Sequence, residues 1–483
     1  MFWRWFLVVS CASLAHSQLP SPSTQAPLAV SNTNVDADGL GILRRYALLR
    51  QADRNVQDVL YAVEKADAQV WQIGPSHVDV YFERPNQRLD LPIPEVGAIP
   101  LNSIDDLYPN IAGGKLGSLA NSTYHSVYHP LYEIEEFMQE MASAYPNLVE
   151  LINLGHTSEA REMLAMRISR GDSELRKSVG AAAKKTGFVI TGAQHAREWI
   201  ATSTALYLAH ALVADAAEDF ALSSWLDYFD FYVIPVPNPD GYVYTWDSDR
   251  LWYKNRQNIG AAETCVGIDM NRSGHKWKAK SKLPSFSDSM NGTYEATDAD
   301  PCSPWYPGHR PFEAPEVNNI ANFITTLPSL KAFVDLRSYG QMLSTPYSYS
   351  CKKVPKDAED QLEAALGAVN AIKQVHGTEF TTGSLCEQLY KASGNVVDYM
   401  YAKAGIKFAY SVHLRDTGTY GFSLPAQWIR PVGEETANMI RFLAGFILGK
   451  GRGKGKGKKG MYYIRAPHEI LWRMLTPSMS SAV

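Results

Sequence analysis

Apolar positions change their spacing partway along the chain. Between about residues 38 and 95, "LGILRRYALLRQ" is amphipathic, "VQDVLYAVEKADAQVWQI" reads as a helix running into a strand, and "HVDVYF" alternates as a half-buried strand does. These stretches predict a small α+β unit. The next segments, "LDLPIPEVGAIPLNS" and "NIAGGKLGSLANST", are rich in proline and glycine, and few regular elements are expected there. From Tyr124 onward the pattern is longer in period. "PLYEIEEFMQEMASAYP" is helical, "VELINLG" and "EMLAMRIS" are strand-like, and "GFVITGAQHAREWIATSTALYLAHALV" predicts a strand, a loop and a long amphipathic helix. "YFDFYVIPVPNPDGY", "LKAFVDLRSYG" and "IKFAYSVHL" add apolar runs, with helices expected in "APEVNNIANFITTL", "DQLEAALGAVNAIKQV" and "PVGEETANMIRFLAGFIL". Strands alternating with helices predict an α/β domain, a large mixed central sheet flanked by helices. Ligands of such sheets lie beyond the strand ends.

A chain of 483 residues exceeds most single domains, and 45% hydrophobic content is ample for a core. The formal net charge of -4 argues against a nucleic-acid surface. At the N-terminus, "MFWRWFLVVSCASLAHS" sets Arg4 before a short apolar run and small residues near Ala15 and Ser17, the layout of a signal peptide over 1–17. That run is too short to span a bilayer, so no membrane span is expected. Secretion would remove Cys11 and leave Cys265, Cys302, Cys351 and Cys386 in an oxidising compartment, where two disulfides with three possible pairings are expected. Asn121 ("NST") and Asn291 ("NGT") would be surface glycosylation sites. Residues 18–117 read as a pro-region with its connector, although composition alone equally allows an unrelated accessory domain. "GKGRGKGKGKKG" opens a basic tail over 449–483, read as disordered and solvated, with binding to an anionic wall polymer as the alternative.

Candidate chemistry starts at "GAQHAREW", where His195 and Glu198 stand three apart directly after a predicted strand. Imidazole and carboxylate at that spacing can converge on one zinc ion, yet an isolated H-x-x-E recurs in many helices. What adds weight is order. "HAREW", "NPDGY", "GIDMNR", "SYGQ", "LYKASGNVVDYMY" and "HLRDTGTYGFSLP" follow one another over about residues 118–448 in a series that resembles the zinc metallocarboxypeptidases of the pancreatic carboxypeptidase A type.

The resemblance implies a carboxypeptidase-like sheet preceded by a small α+β pro-domain, and one zinc ion. It implies that His195 and Glu198 are the first two zinc ligands. Asn271 and Arg272 match the pair that holds a substrate's terminal carboxylate, which places the third sequon, at Asn271, in a cleft. Arg197 matches a cleft arginine, Tyr339 a subsite tyrosine, Tyr390 the mobile tyrosine over bound substrate, and Val397 the position that sets side-chain preference, here for an apolar residue. Cys265 with Cys302, and Cys351 with Cys386, fall where family members carry disulfides.

Three positions depart from the family pattern. The third ligand should be histidine and is Arg337, whose guanidinium has no lone pair for a metal. Tyr253 stands where an oxyanion-stabilising arginine is expected, with Arg250 and Arg256 flanking it, and His413 replaces the glutamate that activates water. The set resembles most the fungal inactive carboxypeptidase-like subfamily linked to cell-wall organisation. The implied protein is a secreted, extracellular or vacuolar monomer that binds peptide C-termini or a cell-wall partner without cleaving them. One alternative is an active zinc carboxypeptidase releasing C-terminal hydrophobic residues, with His413 as replacement ligand or base. A further possibility is that Arg337 pairs with Glu198 in a metal-free cleft.

Overall fold

A computed structural model describes residues 41–48, most of 59–100, and 116–171, 185–260, 264–272 and 300–452. The expected signal peptide, Asn291 and the tail beyond residue 452 lie outside the described residues.

The first element group is a four-stranded antiparallel sheet of β1 (Ile42–Ala47), β2 (Gln69–Ile73), β3 (His77–Phe82) and β4 (Glu95–Pro100), in the order β2-β3-β1-β4. The amphipathic "LGILRRYALLRQ" thus supplies a strand. Strand β4 corrects the expectation of an irregular connector: among the described residues it pairs only with β1, and such an edge strand tolerates the prolines at its ends because one row of its backbone groups is not needed for pairing. The alternation expected of "HVDVYF" is also absent, since Val78 to Phe82 are all buried. Each face of the central strand is covered. Val78, Val80 and Phe82 join Tyr46, Val63 and Val70 in one apolar cluster, while Tyr81 joins Leu43 and Trp71 against Tyr339 and Phe422 of the larger domain.

The larger domain is built on an eight-stranded sheet, ordered β11-β10-β12-β9-β7-β8-β6-β5. Its strands are β5 (Val149–His156), β6 (Glu162–Ile168), β7 (Thr186–Thr191), β8 (Phe229–Ile234), β9 (Leu330–Arg337), β10 (Met342–Thr345), β11 (Thr381–Ser384) and β12 (Phe408–His413). β12, β9, β7 and β8 run parallel, and antiparallel pairings of β10 with β12 and of β8, β6 and β5 make the sheet mixed. Helices α1 (Leu131–Ala144), α2 (Trp199–Val213), α3 (Pro239–Asp247), α4 (Pro315–Thr326), α5 (Ala358–His376), α6 (Leu385–Gln388), α7 (Val396–Ala402) and α8 (Ile429–Arg452) flank it.

Alternate residues of each central strand serve two cores. Phe188, Ile190, Val334, Leu336, Tyr410 and Val412 pack with α2 and α8, whereas Val189, Phe333 and Ala409 pack with α4 and α7. The period of two carries Asp335 and Arg337 onto the side of Phe333, and Ser411 and His413 onto the side of Ala409. Helix α2 is not amphipathic as expected: all fifteen of its residues are buried, so it runs through the interior. Among the described residues no helix is long and apolar enough to cross a membrane.

Candidate functional site

Parallel strands β7, β9 and β12 end side by side, and their carboxyl ends carry the candidate chemistry. The chain leaves β7 through Gly192, where a Cβ would fall 2.0 Å from the Pro235 carbonyl oxygen, so only glycine permits this approach. The loop then presents His195 and Glu198 at the head of α2. Arg337 is the last residue of β9 and lies opposite His413, the last of β12.

Arg337 reaches into the space between the two candidate ligands. Its Nε donates to Glu198 Oε2 at 2.8 Å and its Nη2 to Oε1 at 3.0 Å, a two-pronged pair between groups 3% and 2% exposed. Nη2 also bonds His195 Nδ1, and Nη1 approaches Asp335 Oδ2 at 3.4 Å. A guanidinium only donates, so His195 must accept at Nδ1 and carry its proton on Nε2, which donates to Asp269 Oδ1 at 2.8 Å. With Nδ1 as acceptor, its 3.1 Å approach to Glu198 Oε1 is a contact between two lone-pair carriers and no ion pair.

The charges follow from this packing. Burial would raise the Glu198 carboxyl, but the Arg337 guanidinium outweighs it, and the pKa lies at about 2. Burial would likewise ease the proton off Arg337, yet Glu198 and Asp335 push its pKa well above the ordinary value. Asp335, which accepts from Thr191 Oγ1 at 2.8 Å and Gln194 Nε2 at 3.0 Å, is raised by burial. His413 is pushed down to about 3 by burial and then by Arg337, so it is neutral at any working pH and a very weak base. Its Nδ1 meets no hydrogen-bond partner among the described residues.

Tyr253 lies flat on His195, ring centroids 3.6 Å apart, under the Arg197 guanidinium at 4.8 Å. Burial, with Asp269 nearby, raises its phenol well above the usual value, so it stays neutral. Neither flanking arginine lines the cleft. Arg250 donates to the carbonyls of Arg197 (2.9 Å) and Phe422 (2.7 Å), and Arg256 stacks on Tyr244 and Trp252.

Asn271, Arg272, Arg197, Tyr339 and Tyr390 line one cavity with His195 and Glu198. Arg272 Nη2 donates to the Tyr390 hydroxyl at 2.6 Å, Asn271 Oδ1 accepts from Val396 N at 3.0 Å, and Arg197 is enclosed by Phe422, Tyr253 and Trp71. Val397 does not line this cavity. It is fully buried in the cluster that contains Met163, Val189 and Phe333, and Asn395 faces the cleft instead. The bonds between Cys265 and Cys302 and between Cys351 and Cys386 are both formed. Asn121 is exposed at a turn.

The small sheet closes the cleft. Val70, Trp71, Gln72 and Ile73 of β2 line it from above, leaving a cavity of about 80 Å³, far below the several hundred of an open ligand pocket. Tyr339, 1% exposed, donates its hydroxyl proton to Asp79 Oδ2 at 2.6 Å, and Arg45 grips the same carboxylate at 2.6 and 2.8 Å. Gln72 Nε2 donates to the Tyr339 carbonyl at 3.1 Å, and Arg45 reaches the Thr417 carbonyl at 2.7 Å. Sequence reasoning missed Asp79, Asp269 and Asp335. Each had a signal, a lone carboxylate within the apolar stretches "HVDVYF", "GIDM" and "FVDLR".

The zinc ion implied by the resemblance can be tested on this donor set. Both oxygens of Glu198 and the Nδ1 lone pair of His195 already accept guanidinium protons, and no third ligand stands where Arg337 is. His413 does not make up the set: among the described residues no three His, Cys, Asp or Glu side chains could hold a metal ion together. These residues do not fit zinc.

Comparison with known proteins agrees with the fold. Residues 134–439 match the zinc carboxypeptidase family, peptidase M14. Carboxypeptidase A4 of Mus musculus is 40% identical over 313 residues, 65% of this chain and 68% of that protein. The inactive metallocarboxypeptidase ECM14 of Ajellomyces dermatitidis is 36% identical over 346 residues, 67% of this chain and 54% of the relative, so the matched stretch spans just over half of the fungal protein's length. A crystal structure of thrombin activatable fibrinolysis inhibitor is 28% identical with a TM-score of 0.70, covering 85% of this chain and 100% of that one. Fold, motif order and sequence identity agree, and the chain belongs to the zinc carboxypeptidase family.

Proposed function

We propose that this protein is a carboxypeptidase-like pseudoenzyme that recognises the C-terminal end of a peptide or protein partner and does not hydrolyse it. One observation carries the reading: the Arg337 guanidinium occupies both Glu198 oxygens and the His195 lone pair. Hydrolysis in this family needs a polarising metal and a base for water. Here the metal's donors are engaged by an internal cation, and His413 holds its proton too weakly to serve as the base. The fixed oxyanion charge is also missing, because Tyr253 is a neutral phenol, and loss of one such donor costs about 10² to 10³ in rate.

Recognition has kept its parts. Arg272 beside Asn271 offers a rigid fork and an amide suited to a terminal carboxylate, with Tyr390 hydrogen-bonded to that fork. Binding requires displacement of the β2 cap, since Trp71 and Gln72 fill the entrance. The inactive designation of the fungal relatives supports the same reading. A secreted or vacuolar location and a part in cell-wall organisation complete the proposal.

The test uses full-length protein and protein with the cap proteolytically removed, incubated with peptides ending in hydrophobic residues in the presence of zinc. No amino acid is released, and the uncapped form binds peptide in a manner that Arg272→Ala abolishes. Turnover that a chelator stops would refute the proposal.

A further inference from the structure

A second buried cluster of titratable groups lies away from the cleft, where the chain enters the large domain. His125 and His210 are 2% and 1% exposed, and His125 Nε2 lies 3.0 Å from His210 Nδ1. His210 Nε2 lies 3.1 Å from the Gly117 carbonyl, which can only accept. The proton order is therefore fixed: His210 donates from Nε2 to Gly117 and accepts at Nδ1 from His125 Nε2–H. Both rings are neutral in this arrangement. Rings of Tyr124, Phe137 and Tyr207 pack around His125 at 5.0 to 6.0 Å.

Leu119 and Tyr124 anchor the same segment in the apolar core, and hydrogen bonds fasten it further. Arg430 at the start of α8 donates to the carbonyls of Leu119 (2.9 Å) and Ser122 (2.8 Å), and the Ala120 amide donates to Glu218 at 3.1 Å. Further on, Tyr128 donates to the Leu424 carbonyl and Tyr242 to that of His129.

A proton added to this pair meets no carboxylate bonded to either ring among the described residues: the charge of Glu218 favours it on His210, and Arg430 opposes it on both rings. From α2 the pair faces Tyr207, from α8 the cation Arg430, from its own segment Tyr124 and His129, and from the loop after α2 the carboxylate of Glu218, engaged with Ala120. Glu133 of α1 is held by His129 at 2.6 Å. Once both rings are protonated, two N–H groups face each other and the link between His125 and His210 is lost. Burial accordingly lowers the basicity of both rings, that of His125 further by His210 and Arg430.

We propose that the His125–His210 pair is an acid-labile clasp that holds residues 116–126 against α2 and α8 at neutral pH and releases them when the rings take up protons. Release exposes residues 116–126, so the device would couple acidification to exposure of the entry to the large domain. It is independent of whether the cleft binds peptide.

Hydrogen exchange of the full chain, corrected for intrinsic rates and compared at about pH 7.5 and about pH 4.5, reads this directly. Residues 116–126 should exchange at least about tenfold faster at the lower pH, with helix α5 unchanged as internal reference. In His210→Gln, whose amide still donates to Gly117 but cannot be protonated, and in His125→Phe, the acid-induced increase should vanish. Unchanged exchange in the wild type, or an equal increase in both variants, overturns the proposal. Should neither variant fold, histidine C2-proton titration of the wild type decides. Rings that titrate together with the loss of protection support the clasp, and rings that stay neutral while the segment opens refute it.

Discussion

Arg337 and Glu198 are both almost fully buried and share two hydrogen bonds, so removing either partner strands a charge in the interior. Arg337→Ala should destabilise the protein by roughly 3 to 5 kcal/mol in urea unfolding, and Arg337→Lys should recover only part, because an ammonium cannot engage both oxygens. The pair also sets a pH window. A carboxyl depressed from 4.5 to about 2 adds stability that is complete above 4.5 and is lost as pH falls through about 2. The shift corresponds to roughly 3 kcal/mol. The stability difference between wild type and Glu198→Gln should therefore hold from neutral pH to about 4.5 and shrink below it. A difference independent of pH would show that Glu198 is not the ionised partner. The misfit of Arg337 was legible in the sequence because its neighbours Ser338 and Tyr339 fit the family pattern. Its surroundings were less so: Glu198 and Asp269 reach the site from distant segments, and a single sequence does not say which buried carboxylates meet.

At the scale of elements, the strands and helices of the large domain follow from apolar period, and their alternation predicts the mixed sheet. Two of the misreadings share one cause, burial on more than one side. Helix α2 lacks a polar face because neighbours surround it, and β3 loses its alternation because the large domain covers its second face. Val397 shows the same limit, since motif position suggested a pocket wall and packing made it core. Val397→Ala should cost roughly 2 kcal/mol in stability and leave peptide binding by the uncapped protein unchanged. The cap rests on Trp71, 6% exposed, stacked with Tyr81 at 5.3 Å and tilted on Phe422 at 5.0 Å. Trp71→Ala should weaken the cap by roughly 3 to 5 kcal/mol, seen as faster proteolytic loss of residues before 116 with the large domain intact. Equal cleavage rates would mean that the Asp79 network alone retains it.

For the whole molecule, a family fold and a family cleft persist around a centre whose donors are engaged by an arginine. Architecture and ligand chemistry respond to different constraints. The sheet depends on two extended apolar cores and tolerates a changed residue at one strand end, whereas a metal site fails with the loss of one donor. The central claim is that an internal guanidinium has replaced the metal, and metal content tests it most directly. Full-length protein, loaded with excess zinc and then dialysed, should retain less than about 0.1 zinc per chain by elemental analysis, and its melting temperature should not respond to chelator. Retention of about one zinc per chain, with a chelator-sensitive melting temperature, would contradict the claim.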